Sequence, residues 1–290
     1  MDVAVVGAGR AGTAIGVALA RAGHRVVGAT GRAPSRDRVA RHLPGTPIVP
    51  IAQAAAQADL VVLGVPDDAL AAITREVAAS VRPGVWVVHL SGASGLDVLE
   101  PVRGAGARGL GIHPLQTFPD VAHAIDRLHG ATMAVTADDE EGLAFGEQLA
   151  RELGGVPFRL ADELRPLYHA AAVFASNHVV VTSAVAEALF VAAGVPDPRA
   201  AMAPLQRATL ENLTTLGAAA ALTGPAVRGD AGTIDRNLTA VRDLGSVFDA
   251  GEVAVVYVAM ARLALDLAVD AGRLRADERL AVEEVLARWR

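Results

Sequence analysis

Three glycines near the N-terminus have the spacing of a phosphate-binding turn. They follow an apolar, strand-like run and open a helical pattern, in the segment Gly7-Ala8-Gly9-Arg10-Ala11-Gly12. In such a turn Gly7 permits the tight bend, Gly9 lets the backbone approach a pyrophosphate, and Gly12 lets the helix pack against the strand. The N–H groups at the start of the helix can then bind phosphate oxygens. The segment and its strand–turn–helix context predict a dinucleotide-binding site.

The end of the second predicted strand distinguishes NADH from NADPH. An NAD site usually carries an acidic residue there, which binds the ribose 2′-hydroxyl. Here no acidic residue occurs before Asp37, and the side chains that could bind a 2′-phosphate are Thr30, Arg32, Ser35 and Arg36. Arginine binds phosphate through charge-assisted hydrogen bonds, so the predicted cofactor is NADP. In the alternative interpretation, both arginines are solvated surface charges.

Two further loops are expected at the same edge of the sheet, where ligands of open α/β sheets bind. Val65 and Pro66 end the fourth predicted strand, and Ser91 and Gly92 end the fifth. Small side chains there leave room for the nicotinamide ribose, so all four residues are predicted cofactor contacts. A plain turn would have a similar sequence.

Residues that could move a proton occur later in the chain. His113 ends another strand and could donate a proton, position a substrate or satisfy a buried carbonyl. A helical segment carries His169, Ser176 and Asn177, and Ser176 lies seven residues after His169. In one uninterrupted helix those two share a face, and Asn177 can still reach the same cleft. We predict that His169 donates or orients the proton while Ser176 and Asn177 stabilise developing negative charge, or else that these polar groups join adjacent helices.

A second candidate segment lies near the C-terminus. Gly224-Pro225 breaks the helical pattern there and leaves Arg228 and Asp230 on an irregular loop. Arg228 could bind a substrate carboxylate through two hydrogen bonds, with Asp230 orienting it. Alternatively, Asp230 caps the next helix and Arg228 forms a surface ion pair.

Missing residue types exclude several kinds of chemistry. The chain has no cysteine, and all 26 of its Lys and Arg residues are arginine. Disulfides, thiolate metal sites, a cysteine nucleophile and a Schiff-base lysine are therefore excluded, and no metal site is predicted. The net charge of −6 comes without a basic stripe, so no nucleic-acid partner is expected.

The hydrophobic pattern predicts an α/β fold, with a doubly wound, mostly parallel Rossmann sheet followed by an all-helical C-terminal domain. Strand and helix patterns alternate as far as residue 160, and only helical patterns follow. We expect a dinucleotide-binding domain over residues 1–160 and a helical substrate and dimerisation domain over residues 161–290. The strands are expected near residues 2–6, 25–29, 47–49, 59–65, 86–90, 109–113, 131–135 and 156–160.

One uncharged stretch, residues 166–186, is long enough to raise the question of a membrane span. Its interior holds two histidines, an asparagine and several hydroxyl groups, which favour a helix buried inside a protein. No leader-like pattern precedes the first strand, so a cytoplasmic protein with no membrane partner is expected. This stretch and the apolar segment 253–261 are more hydrophobic than the core of one small helical domain requires. This excess favours a homodimer.

Four segments together resemble a family of bacterial Rossmann-like oxidoreductases with a characteristic helical C-terminal domain: 7–12, 113–118, 168–178 and 222–233. That family is similar in layout to pyrroline-5-carboxylate reductase and to the 6-phosphogluconate and β-hydroxyacid dehydrogenases, and some members look like an alternative type of ketopantoate reductase. The resemblance implies an NADPH-dependent reductase of a small carboxylate substrate. Common ketopantoate reductases use a lysine on this first long helix, whereas this chain has His169 in the corresponding region.

Three functions remain open from the sequence. The first is reduction of a carbonyl, with ketopantoate as the substrate implied by the resemblance. The second is reduction of an imine of the pyrroline-5-carboxylate type. The third is a non-catalytic dimer that senses NADP(H), because a Rossmann fold does not by itself imply catalysis.

Overall fold

Short apolar runs form a seven-stranded sheet in the computed structural model, which describes residues 1–243 and 248–289. The strands are β1 (Asp2–Val6), β2 (Arg25–Thr30), β3 (Leu60–Leu63), β4 (Trp86–His89), β5 (Arg108–Pro114), β6 (Thr132–Ala137) and β7 (Val156–Arg159). Their order is β2-β1-β3-β4-β5-β6-β7, and every neighbouring pair is parallel except β5 and β6. All four residues of β3 are buried, as expected of a strand that is covered on both faces.

Helices pack on both faces of this sheet. They are α1 (Arg10–Arg21), α2 (Ala33–His42), α3 (Ile51–Gln57), α4 (Asp67–Ala78), α5 (Glu100–Gly104), α6 (Val121–Leu128) and α7 (Glu140–Glu152). The next helix, α8 (Arg165–Ala175), follows β7 and buries only Arg165. One core cluster packs Leu70 and Val77 of α4 against the sheet, and another packs Leu19 of α1 and Leu149 of α7. The predicted doubly wound, mostly parallel sheet with a helical region after it is confirmed.

Two details of the sheet region differ from the expectation. The strand predicted at residues 47–49 is a single bridge between Ala29 and Ile48. Pro47 and Pro50 flank it and lack the N–H donors that a longer ladder needs. Helices α2, α5 and α6 were not predicted. Helix α2 buries only Ser35 and Val39, so its sequence carries almost no apolar periodicity.

The long helix expected after the sheet is two helices, α8 and α9 (Asn177–Ala192). Ser176 separates them with φ −130° and ψ −68°, outside the helical region. The expectation of one uninterrupted helix through His169 and Ser176 is therefore wrong. A spacing of seven residues does not place these two side chains on one helical face.

The chain forms two compact units, Met1–Asn177 and His178–Arg290, so α8 belongs with the sheet. The second unit contains most of α9 and then α10 (Pro198–Leu216), α11 (Ala218–Ala221), α12 (Ala231–Arg242), α13 (Ala250–Asp270) and α14 (Ala276–Arg288). Its core is formed by α12, α13 and α14 around residues such as Leu238, Val258 and Leu286.

Much of the apolar surface of α8 and α9 is exposed in the single chain. Among the described residues, one helical stretch, Asp162–Ala192, is long and apolar enough to cross a membrane by length and composition, and none of its apolar window is buried. The expectation that this stretch is a buried core helix is therefore wrong for one chain. Val180, for example, is 68 % exposed.

Candidate functional site

Two of the three glycines of the N-terminal turn, Gly7 and Gly12, are tightly enclosed, whereas a Cβ on Gly9 would meet nothing closer than 3.7 Å. Gly7 has a φ of +90°, which favours glycine, and a Cβ there would lie 2.5 Å from Cγ1 of Val65. A Cβ on Gly12 would lie 2.3 Å from the Gly7 carbonyl oxygen, and one on Gly64 would lie 2.6 Å from Cα of Gly12. Only glycines at these positions let α1 pack this closely on the ends of β1 and β3.

Backbone donors at the start of α1 are left without side-chain partners. Gly9 is the N-cap residue, and no side chain caps this helix. The Ala8 N–H donates to the Thr30 carbonyl over 2.7 Å, and Nη1 of Arg38 donates to the Ala8 carbonyl over 2.9 Å. Arg10 donates to the Pro119 carbonyl. The first N–H groups of α1 can therefore bind an anion, whereas Arg10 and Arg38 hold the surrounding loops.

A cavity of about 660 Å³ lies beside this turn. Of the residues predicted to bind cofactor, it is lined by Gly7, Gly9, Thr30, Arg32, Ser35, Val65 and Pro66. The Thr30 hydroxyl accepts a hydrogen bond from the Gly7 N–H over 3.1 Å, so it holds the glycine turn against β2. Arg36 does not line the cavity, and Glu76 of α4 does.

A second cavity of about 760 Å³ brings four of the five predicted catalytic residues together. Despite the break at Ser176, it is lined by His113 from β5 and by His169, Ser176 and Asn177 from the α8–α9 segment. Tyr168 lines it as well, and its hydroxyl lies 2.9 Å from Nδ1 of His113. The prediction placed His113 and His169 at candidate sites but did not single out Tyr168.

Gly92 lies where two imidazole rings meet. A Cβ on Gly92 would lie 2.7 Å from Nδ1 of His169 and 2.9 Å from Nε2 of His113. The ring centroids of these histidines are 6.2 Å apart. The preceding Ser91 hydroxyl accepts the N–H groups of Ala93 and Ser94, which fixes the turn after β4. The loop predicted to contact the cofactor thus also shapes the histidine cluster.

Two buried polar residues behind this cluster were not predicted. Arg165 is fully buried at the start of α8 and donates to the Thr136 hydroxyl over 2.9 Å and to the Ser91 carbonyl. His89, the last residue of β4, is fully buried, and neither of its ring nitrogens forms a hydrogen bond. Two features of the sequence could have pointed to these residues. His89 lies at the end of a β-branched strand pattern, and Arg165 directly precedes the uncharged stretch 166–186.

The electrostatics of this region are unusual because the buried guanidinium of Arg165 acts on two uncharged imidazole rings, those of His89 and His113. Burial, and then the charge of Arg165, lower the pKa of His89 to about 3 and that of His113 to about 4. Burial also lowers the pKa of Arg165 and raises that of the Tyr168 hydroxyl, while the Arg165 charge opposes the rise at Tyr168. At neutral pH both histidines are uncharged and Tyr168 is protonated.

Arg228 lies in the other compact unit and lines neither cavity. Its side chain is exposed, on the short turn before α12. The Asp230 carboxylate accepts the Thr233 N–H over 3.0 Å and caps α12, and hydrogen bonds from Thr233 lower the pKa of Asp230. Asp230 thus has the capping role of the alternative interpretation.

Comparisons with known proteins agree with this fold. Residues 1–114 match a Rossmann-like domain, and residues 131–264 match DUF2520, a domain of unknown function. No curated protein matches the chain significantly. A protein from Bacteroides fragilis assigned as an NADP oxidoreductase is 24% identical with a TM-score of 0.77, over 91% of this chain and 98% of that one.

Two further solved structures are similar over nearly their whole length. An imine reductase from Myxococcus stipitatus in complex with NADP⁺ is 17% identical with a TM-score of 0.65, over 100% of this chain and 99% of that one. A pyrroline-5-carboxylate reductase from Coxiella burnetii is 16% identical with a TM-score of 0.55, over 92% and 97%. At these identities the likeness is one of fold. The chain is thus similar to a Rossmann-like domain over residues 1–114 and to DUF2520 over residues 131–264.

Proposed function

We propose that the protein is an NADP-dependent oxidoreductase that reduces the carbonyl group of a small carboxylate substrate. One observation carries the proposal. Gly7, Gly12 and Gly64 form a glycine cradle after β1 and β3, whereas Gly92 follows β4 and His113 lies near the end of β5. These four strands are parallel neighbours. Cofactor and substrate cavities therefore share the carboxyl edge of one sheet, where open α/β sheets bind ligands.

The residues of the cradle fit a dinucleotide. The space next to Gly7 and Gly12 admits no side chain, and the start of α1 offers free N–H donors. Arg32 and Ser35 line the same cavity and support a bound 2′-phosphate. The NADP⁺ complex of the similar imine reductase supports the same cofactor. Ser91, Gly92 and Arg36 are proposed as further contacts.

The chemistry we propose is hydride transfer, with the reduced nicotinamide supplying the hydride when bound. His169 has a buried Nδ1 with no hydrogen-bond partner, and the sequence predicts that it donates or orients the proton. Ser176 and Asn177 would hydrogen-bond negative charge that develops on the substrate oxygen. Arg228 is proposed to bind the carboxylate, and this assignment is supported only by the sequence pattern.

Imine reduction is the second candidate, favoured by the similarity to an imine reductase and a pyrroline-5-carboxylate reductase. The support for ketopantoate is the resemblance of the motifs.

We also propose a homodimer formed through the helical unit. Large apolar side chains are exposed on three of its helices, with Val180 of α9, Leu205 of α10 and Val255 of α13 each more than 60 % exposed. A second copy that covers them would remove this surface from water.

The test is NADPH oxidation by the purified protein with small 2-keto acids, ketopantoate first, and with pyrroline-5-carboxylate. We expect faster turnover of a keto acid than of the cyclic imine. A preference for the imine would favour the second candidate. NADPH binding without turnover of any substrate would instead support a sensor.

A further inference from the structure

Five polar side chains form one group at the carboxyl edge of the sheet, two of them buried and three half-buried. Arg165, Tyr168 and His169 are three and four residues apart on α8, so they share a helix face. His89 and His113 end the neighbouring strands β4 and β5. Gly111 allows the approach: a Cβ there would lie 3.0 Å from both Nη1 of Arg165 and Nε2 of His89.

Arg165 is a cation without a carboxylate partner. Its hydrogen bonds go to a hydroxyl and a carbonyl, and its Nε has no partner. Asp162 and Asp67 act on it only at a distance, and neither forms an ion pair with it in the part of the chain that the structure describes. A buried charge usually has a partner of opposite sign, so this positive charge is available to stabilise an anion nearby.

Tyr168 is the residue on which such an anion can form. Tyr168 lines the 760 Å³ cavity, and its hydroxyl lies 2.9 Å from Nδ1 of His113. We assign the His113 proton to Nδ1, so that the neutral imidazole donates to the phenolic oxygen and the phenolic proton points to the substrate. The phenolate left after proton transfer then keeps a hydrogen bond from His113 and lies three residues along the helix from Arg165.

We propose that Tyr168 is the proton donor of the reductase, acting on a neutral carbonyl, with His113 and Arg165 as positioning residues that stabilise its phenolate. The proposal rests on the proposed reductase function. A bound reduced nicotinamide would supply the hydride, with its electron pair, to the carbonyl carbon and would itself be oxidised. The C=O π pair moves to oxygen, the Tyr168 proton bonds to that oxygen, and the phenolate is reprotonated from water.

Charge also favours a carbonyl over a protonated imine. None of the described residues that line the cavity is acidic. A cationic iminium would therefore meet the Arg165 charge with no compensating carboxylate, whereas the oxygen of a reacting carbonyl becomes negative. Reduction of the keto acid should accordingly be the activity that depends on Tyr168.

Tyr168→Phe removes the hydroxyl and keeps the ring that packs on Phe158. We expect kcat for the keto acid to fall about 10²-fold while the Kd for NADPH, measured by fluorescence, stays unchanged. The control is Tyr257→Phe on α13, which removes the hydroxyl of the other tyrosine and its hydrogen bond with Asn237. That control should keep wild-type kcat.

The pH profile separates this donor from His169. The charged or titratable groups around Tyr168 are His113 from β5 and Arg165 and His169 from its own helix. With a tyrosine donor, kcat should stay flat from pH 6 to 9, whereas a histidine donor would lose activity as pH rises through neutrality. The Tyr168 proposal would be overturned if Tyr168→Phe kept wild-type kcat. It would also be overturned if kcat fell with rising pH near neutrality and only His169→Ala removed that dependence. In both cases the proposed reductase function would stand. No turnover of any carbonyl would overturn the reductase as well.

Discussion

Arg32 is the side chain best placed to distinguish NADPH from NADH. It lines the cofactor cavity, whereas Arg36, one turn later on α2, is exposed and does not. We expect Arg32→Ala to weaken NADPH binding roughly tenfold or more and to leave NADH binding unchanged, because one charge-assisted contact is lost. Fluorescence titration with both cofactors measures this, and the matched control is Arg41→Ala, an exposed arginine of the same helix that does not line the cavity. Equal losses for NADPH and NADH would contradict a 2′-phosphate contact.

His113 should make stability depend on pH. Burial and the Arg165 charge lower its pKa from 6.5 to about 4, so the unfolded chain binds a proton more readily than the folded one. Stability is therefore full above pH 6.5 and decreases as pH falls towards 4, by about 3 kcal/mol from this residue. Urea unfolding at several pH values should show a smaller change for His113→Asn than for His123→Asn, since His123 is exposed. Equal slopes would contradict the shift.

The polar residues of the site were predictable only in part. His113 and His169 stand out in an apolar sequence, and the structure places both in one cavity with Ser176 and Asn177. Arg165 was not identified: its place before an uncharged stretch was a signal, but its burial depends on Thr136 and the Ser91 carbonyl, which are distant in sequence.

The turn after β4 links the cofactor loop to the histidine cluster through Gly92. We expect Gly92→Ala to push the two imidazole rings apart, because its Cβ would lie 2.7 Å from Nδ1 of His169. Displacing reacting groups by about 1 Å can cost 10²-fold in kcat, so turnover should fall far more than NADPH affinity. Gly104→Ala on α5 is the control, since no atom lies within 4 Å of its Cβ position. Similar kcat in both variants would show that the rings adapt.

Helices and strands with a clear apolar period were predicted well, and the others were not. The continuous, β-branched apolar run of β3 predicts a buried strand, and the apolar residues of α4 recur with a helical period. In contrast, α2 exposes most of its residues, and the break at Ser176 follows an alanine-rich segment whose pattern predicts one continuous helix. Local sequence therefore indicates where a helix is possible, whereas packing decides where it ends.

The exposed apolar helices should associate in solution. We expect sedimentation at micromolar concentration to give twice the mass of one chain. Val180→Glu, on the exposed surface of α9, should shift the protein towards monomer, because a carboxylate in an apolar interface is costly. Val156→Glu is the control, since Val156 is 57 % exposed on the edge strand β7 of the other unit. A monomeric wild-type protein would contradict the dimer.

The two cavities share no lining residue. The one beside the glycine turn is built from the stretch between Val6 and Glu76, and the one with the histidines from the stretch between His113 and Asn177. Substitutions in the later stretch can accumulate without touching the earlier one. Descendants of a common ancestor could therefore keep the same cofactor and diverge in substrate, so that inheritance of the glycine turn carries little information about which molecule is reduced.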